Sequence, residues 1–206
     1  MNIDINSVDL NEDYFYFTNI NNVEGILEEG LKPMVGAASE MINDRPNVSI
    51  SKGAKGVMGI VNSFVFMFAN RSISDIPEDF RKYFTEIDDF SSQKLVGKEI
   101  ACRAMERKLK EEVYFRVNVT EEEVNEARIG GFTGFDVNLP YGIDKSKLQL
   151  ITENDNVMSA YDVCSFIYEK AKNIEVFREM NEDFFYMMDR GFPKQEQKQN
   201  QTEKVV

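Results

Sequence analysis

The stretch Ser51-Lys52-Gly53-Ala54-Lys55-Gly56 sets two lysines among glycines, between a run that reads as a strand and a run that reads as a helix. Free backbone N–H groups and the dipole at a helix start favour anions, so a phosphate would be sought here first. Gly53, Gly56 and Gly59 recur every third residue, however, and this fits neither GxGxxG nor GxxxxGK[ST]. A sharp turn with close helix packing explains the spacing as well. Glu111, Glu112, Glu121, Glu122 and Glu123 flank a second strand-like run. Paired carboxylates divide acid and base roles when their surroundings separate their pKa values. Glu121 to Glu123 also suit the first turn of a helix, where the dipole favours negative charge. Lys94, Lys98, Arg103, Arg107, Lys108 and Lys110 make one segment basic, which suits either an acidic partner or the solvated face of an ordinary helix.

The chain contains no histidine. That removes Ser-His-Asp and Cys-His nucleophilic catalysis, HExxH metalloproteases and most zinc hydrolases. Any general base must be a carboxylate, a perturbed Lys or Tyr, or the substrate itself. Two isolated cysteines, Cys102 and Cys164, make neither a zinc site nor a disulfide framework and read as small core residues of a protein in a reducing compartment. No metal cluster stands out. Lys plus Arg number 24 against 36 Asp plus Glu, a net charge of -12, so nucleic acid and anionic membrane are disfavoured partners. The N-terminal residues lack the basic and apolar regions of a signal peptide, and the longest apolar run, Val57 to Ala69, is too short to cross a bilayer. A cytoplasmic location is expected.

The elements that would position these residues follow from periodicity. Tyr14 to Thr18 is a compact aromatic strand. Asn21 with Glu24 resembles a capping box for a helix carrying Val23, Ile26, Leu27 and Leu31, closed by Gly30 and Pro33. Residues 34–46 read as a loop and Val48 to Ser51 as a strand. The following helix is apolar nearly all round and should therefore be buried and central. A short helix is expected from Pro77 to Phe84, then a longer one capped by Ser92 and running to about Lys110, with an apolar stripe of Leu95, Cys102, Met105 and Leu109. Glu112 to Val119 alternates like a half-buried strand. Thr120 with Glu123 forms a second capping box, for a helix stopping at Gly130-Gly131. Phe132 to Leu139 and Leu148 to Thr152 read as strands, with a turn over Glu153 to Asn156. Two helices follow, one through Ala160, Val163, Cys164, Ile167 and Ala171, the other through Phe177, Met180, Phe184 and Met187. The expected fold is α+β: a small, split, mostly antiparallel sheet around a buried central helix. It forms a single domain over 1–192, with a helical C-terminal cap over 157–192 and a disordered polar tail over 193–206.

The run Phe15-Tyr16-Phe17-Thr18, followed by a short helix and Gly30-Leu31-Lys32-Pro33, resembles the opening of ADP-ribosyltransferase-fold proteins, in which a His-aromatic-Thr strand precedes a helix ending in xxGLxP. Ser49-Ile50-Ser51-Lys52-Gly53-Ala54-Lys55-Gly56-Val57-Met58 is similar to an FFSKGxxGVL element of bacterial proteins of this type. Phe135-Asp136-Val137-Asn138-Leu139-Pro140 with Leu148 to Ile151 looks like the closing strands. The resemblance implies a cleft for NAD, used as a substrate and not held permanently, between the halves of a split sheet. Tyr16 would stand where the family has its ribose-holding His. Phe17 and Thr18 would lie beside it, Ser51 near the nicotinamide ribose, and Asp136 in place of the catalytic Glu. Glycosidic cleavage builds an oxocarbenium-like cation that a carboxylate stabilises. Asp136 is one methylene shorter than Glu and Tyr16 bulkier than His, and a misplacement of about 1 Å can cost about 100-fold. Two readings follow. In one the chain binds NAD and modifies a macromolecule such as a protein target, which requires Tyr16, Ser51 and Asp136 to converge on one cleft. In the other it is a catalytically inactive protein-interaction module, using the basic helix or the C-terminal helices and showing an exposed apolar patch.

Overall fold

Tyr14–Asn19 (β2) lies inside the sheet, and its composition shows why. Side chains alternate between the two faces of a strand. Phe15 and Phe17 pack with the helices on one face, while Tyr14 and Tyr16 pack into a second apolar cluster on the other. A strand covered on both sides has aromatics at both parities, hence Tyr-Phe-Tyr-Phe. The computed structural model describes residues 1–34, 46–127 and 136–190.

The fold is α+β with a mostly antiparallel sheet of seven strands. The strands are Asn2–Asp4 (β1), β2, Val48–Lys52 (β3), Glu112–Val117 (β4), Asp136–Leu139 (β5), Leu148–Glu153 (β6) and Asn156–Val157 (β7). Their order is β1-β6-β4-β2-β3-β5, with β7 on β6, and the β1–β6 pair alone is parallel. β2 pairs with β4 over its whole length, from Tyr14↔Val117 to Asn19↔Glu112. With β3 it shares only Tyr14↔Lys52 and Phe15↔Ser51. The β3–β5 pair is thus joined to the other strands at one end.

The helices are Val23–Glu29 (α1), Gly53–Phe68 (α2), Glu78–Arg81 (α3), Lys98–Glu111 (α4), Glu121–Ala127 (α5), Ala160–Ala171 (α6), Glu175–Met180 (α7) and Glu182–Arg190 (α8). Helix α2 is central: Val57, Met58, Val61, Val65 and Phe68 are completely buried, in one cluster with residues of α4, α6 and α8. It starts at Gly53, whose φ of +62° and contact with the Leu10 carbonyl leave no room for a side chain.

Several boundaries differ from the sequence expectation. Asn19 accepts from the Asn21 N–H and opens a 3-10 turn over Ile20–Asn22 that leads into α1, whose own first residue is preceded by Asn22 without a side-chain cap; the Asn21 box does not form. The Thr120–Glu123 box does form, with reciprocal bonds of 2.8 and 3.1 Å. Helix α4 starts at Lys98 and not after Ser92, because the preceding chain runs extended and bridges Leu95 to Ser72; Leu95 leaves the expected stripe and is 63% exposed. β4 is buried on both faces, with Tyr114 as inaccessible as Phe115. The second C-terminal helix breaks at Asn181, where the chain leaves helical geometry (φ −134°, ψ 44°). Asn62 of α2 holds that break: it donates to the Asn181 amide oxygen at 2.8 Å and accepts from the Phe184 N–H at 2.9 Å. The expected Gly130-Gly131 stop, the Phe132 to Phe135 part of β5's run, most of the 34–46 loop and the C-terminal tail lie outside the described residues.

Candidate functional site

A cleft of about 390 Å³ opens where β2 and β3 are still joined, at the turn into α2. This size falls in the range of small-molecule sites, roughly 300–1,000 Å³. Tyr14 and Val137 belong to its sheet wall, Gly53, Ala54 and Lys55 to the start of α2, Glu121, Val124 and Asn125 to α5, Phe177 to α7, and Leu10, Asn11 and Glu12 to the loop before β2.

Local bonds fix each wall. Asp9 accepts from the Asn11 and Glu12 N–H groups, and Asp13 accepts from the Asp9 N–H and forms an ion pair with Arg116, whose Nε lies 2.8 Å away, so the loop bearing Asn11 and Glu12 is braced from both ends. The Thr120–Glu123 box sets the first turn of α5, and Glu123 is also tied to Lys147. Lys52, opposite Tyr14 in the ladder, sends its ammonium to Glu12 at 3.0 Å and Glu121 at 3.5 Å, with the Tyr14 ring 5.8 Å away. The bond to Glu12 raises the Lys52 pKa above its usual value. The Lys55 ammonium stands 5.6 Å from the centre of the Phe177 ring.

The helix start itself is not an open anion site. The Gly53 N–H donates to the Asp13 carbonyl at 2.9 Å and the Ala54 N–H to the Leu10 carbonyl at 2.6 Å. An anion in this cleft would meet the Lys55 ammonium, the Phe177 ring, Asn11 and Asn125, together with the Glu12 and Glu121 carboxylates that hold Lys52.

The residues singled out by the resemblance are divided by the sheet. Tyr16 is half-buried and packs on the second-cluster side, where burial, ahead of its other contacts, raises its phenol pKa. Thr18 shares that side and accepts from Asn22 at 3.1 Å. Phe17 lies on the helix side, its ring 5.0 Å from that of Tyr114. Ser51, 3% exposed, also faces the helices: a Cβ placed on Gly56 of α2 would come within 2.6 Å of the Ser51 Cβ. Asp136 pairs opposite Ser51 in the β3–β5 ladder, while its side chain lies outside the described residues. Tyr16 and Ser51 therefore do not converge. The cleft is lined by Lys52 and Val137, the sequence neighbours of Ser51 and Asp136 on the other pleat, and by Tyr14, which shares the face of Tyr16 two residues on. The lysine pair in Ser51-Lys52-Gly53-Ala54-Lys55 and the carboxylate run at Glu121 were the sequence signals for this place; nothing marked Asn11, Asn125 or Phe177 as functional.

Other candidates resolve into structure. The basic segment of α4 is neutralised from within: Lys98 pairs with Asp183, Arg103 with Glu99, Arg107 with Glu86, Lys108 with Glu112 and Lys110 with Glu106. Both thiols are buried, which pushes Cys102 up to about 12 and Cys164 higher still. Among the described residues no group of His, Cys, Asp and Glu is arranged to hold a metal ion, and no helix is long and apolar enough to cross a membrane. Compared with known families, characterised proteins and solved structures, the chain matches no family model, no curated protein and no solved structure.

Proposed function

We propose that the chain is an ADP-ribosyltransferase-like protein that binds a nucleotide, NAD first among candidates, in the cleft at the β2–β3–α2 junction. The observation that supports this reading is a juxtaposition. The two sequence blocks that resemble the family, Phe15 to Pro33 and Ser49 to Met58, run beside this cleft: Tyr14, which immediately precedes the first, pairs with Lys52 of the second, and both line it. A nucleotide needs stacking surfaces, amide partners for a base and cations for its phosphates. Phe177 offers a ring, Asn11 and Asn125 offer amides, and Lys55, which has no ion-pair partner among the described residues, offers a cation, while Lys52 would have to exchange Glu12 and Glu121 for a phosphate. Tyr16 and Ser51, on opposite faces, leave transfer chemistry without the constellation that the resemblance implies. The carboxylates that do line the cleft are Glu12 and Glu121, and any cation-stabilising role there falls to them.

A thermal-shift titration with NAD, ADP-ribose and ATP tests this. Ligand at about 100 times its dissociation constant adds roughly 2.7 kcal/mol, a rise of several degrees for a domain of this size. The expected result is a saturable shift that Lys52→Gln diminishes. No shift with any of the three at millimolar concentration would refute the reading. A second reading, an interaction module, is favoured by one observation, the exposed apolar residues of α7.

A further inference from the structure

We propose that the outer face of α7, extended by Phe66 of α2, docks a basic amphipathic helix of a partner protein. The inference deepens the interaction-module reading and is independent of the nucleotide cleft. Val176 and Met180, one turn apart on α7, are 52% and 53% exposed; Ile174 just before the helix is 42% exposed, and Phe66 is 78% exposed. The Asn62–Asn181 hydrogen bond ties α2 to the end of α7; Phe66 lies one turn beyond Asn62 and Met180 is next to Asn181. Apolar side chains scattered singly over a surface are ordinary, whereas grouped ones mark contact sites.

The flanking charge selects the partner. Glu175 and Glu179 alternate with these apolar residues on α7 and Glu182 follows just beyond it; all three are exposed, and none has an ion-pair partner among the described residues. The cations near the ridge are engaged: Lys172 with Glu169, Arg178 with Asp189, Lys98 with Asp183. Lys55 lies over Phe177 on the inner, cleft side of α7. An apolar strip edged by unpaired carboxylates is complementary to a helix with an apolar face bordered by Lys or Arg. The same carboxylates repel an anionic lipid surface.

The test is fluorescence anisotropy of a labelled synthetic Leu/Lys peptide, patterned as an amphipathic helix, titrated with the full chain. Saturable one-to-one binding that weakens with salt is expected, since exposed charges are screened. Affinity should fall roughly tenfold or more in the Val176→Ser/Met180→Ser double variant. Glu175→Gln/Glu179→Gln should flatten the salt dependence, and Ile20→Ser, an exposed apolar residue far along the sequence at the other end of β2, should change nothing. Thermal unfolding of each variant verifies that it is folded. Undiminished binding by the ridge variant, equal binding of a Leu/Glu peptide, or equal loss with Ile20→Ser would overturn the proposal. Association of the protein with anionic vesicles that needs Val176 and Met180 would reassign the face to lipid and overturn it too.

Discussion

Replacing Gly56 with alanine probes the side of the sheet on which Ser51 lies. The new Cβ would stand 2.6 Å from the Ser51 Cβ, 3.0 Å from its carbonyl carbon and 3.2 Å from its Cα. None of these atoms is the free end of a flexible side chain, so β3 or α2 must move. Overpacking of this kind costs about 1–3 kcal/mol, and backbone contact argues for the upper end. Alanine recovers roughly 0.5–1 kcal/mol of helix propensity over glycine. The net expectation for Gly56→Ala is a loss of about 2 kcal/mol, or roughly 4–8 °C in melting temperature for a chain of this length. Ser51→Gly removes the nearest of the three contacts and leaves the other two. In the double-mutant cycle the two changes should therefore couple favourably by about 1 kcal/mol, beyond the ~0.3–0.5 kcal/mol within which independent sites add. Urea denaturation followed by circular dichroism measures all four proteins. Strict additivity would mean that Ser51 does not abut α2, and the argument that withdraws it from the cleft would fail.

Asn62→Ala should leave the buried Phe184 N–H without an acceptor, costing about 1–3 kcal/mol. Hydrogen exchange should quicken over α8 before the rest of the chain. Asn62→Asp retains the acceptor and should cost less; equal losses for the two variants would contradict the capping role. For pH, Arg107 binds Glu86 and holds its carboxyl below the ordinary 4.5. A folded pKa below the unfolded one stabilises fully above the unfolded value and is lost as pH falls through the folded value. Melting temperature should therefore fall on acidification from about pH 5 towards pH 3, and less steeply in Arg107→Gln. An identical acid slope in that variant would show that the pair contributes nothing.

Elements announced by a strong local signal were legible in the sequence: the aromatic β2, the apolar α2, the Thr120–Glu123 box and α6. Errors arose where a local signal had competitors. Ser92 is as good a cap on paper as any, yet the chain after it is drawn into a bridge with Ser72, and the helix waits for Lys98. β1 is three residues long and pairs in parallel with a strand almost 150 residues away (Asn2↔Leu150), so no window around it carries its signal.

The site shows the same limit more sharply. Family resemblance selects positions along the chain, but chemistry depends on which face of the sheet each position takes, and one residue of register reverses that face. A strand reading Tyr-Phe-Tyr-Phe carries no polar alternation from which the face can be read, so nothing in β2 distinguishes the face of Tyr14 and Tyr16 from that of Phe15 and Phe17. The ladder makes the distinction. Phe15↔Ser51 fixes Ser51 under α2, and that pairing turns Tyr14 and Lys52 to the other side. Lys52 thus lies one residue from Ser51, which the resemblance picks out, but on the opposite face, whereas Tyr14 shares its face with Tyr16 two residues on; substitutions at Lys52, more than at Ser51, report on binding in this cleft.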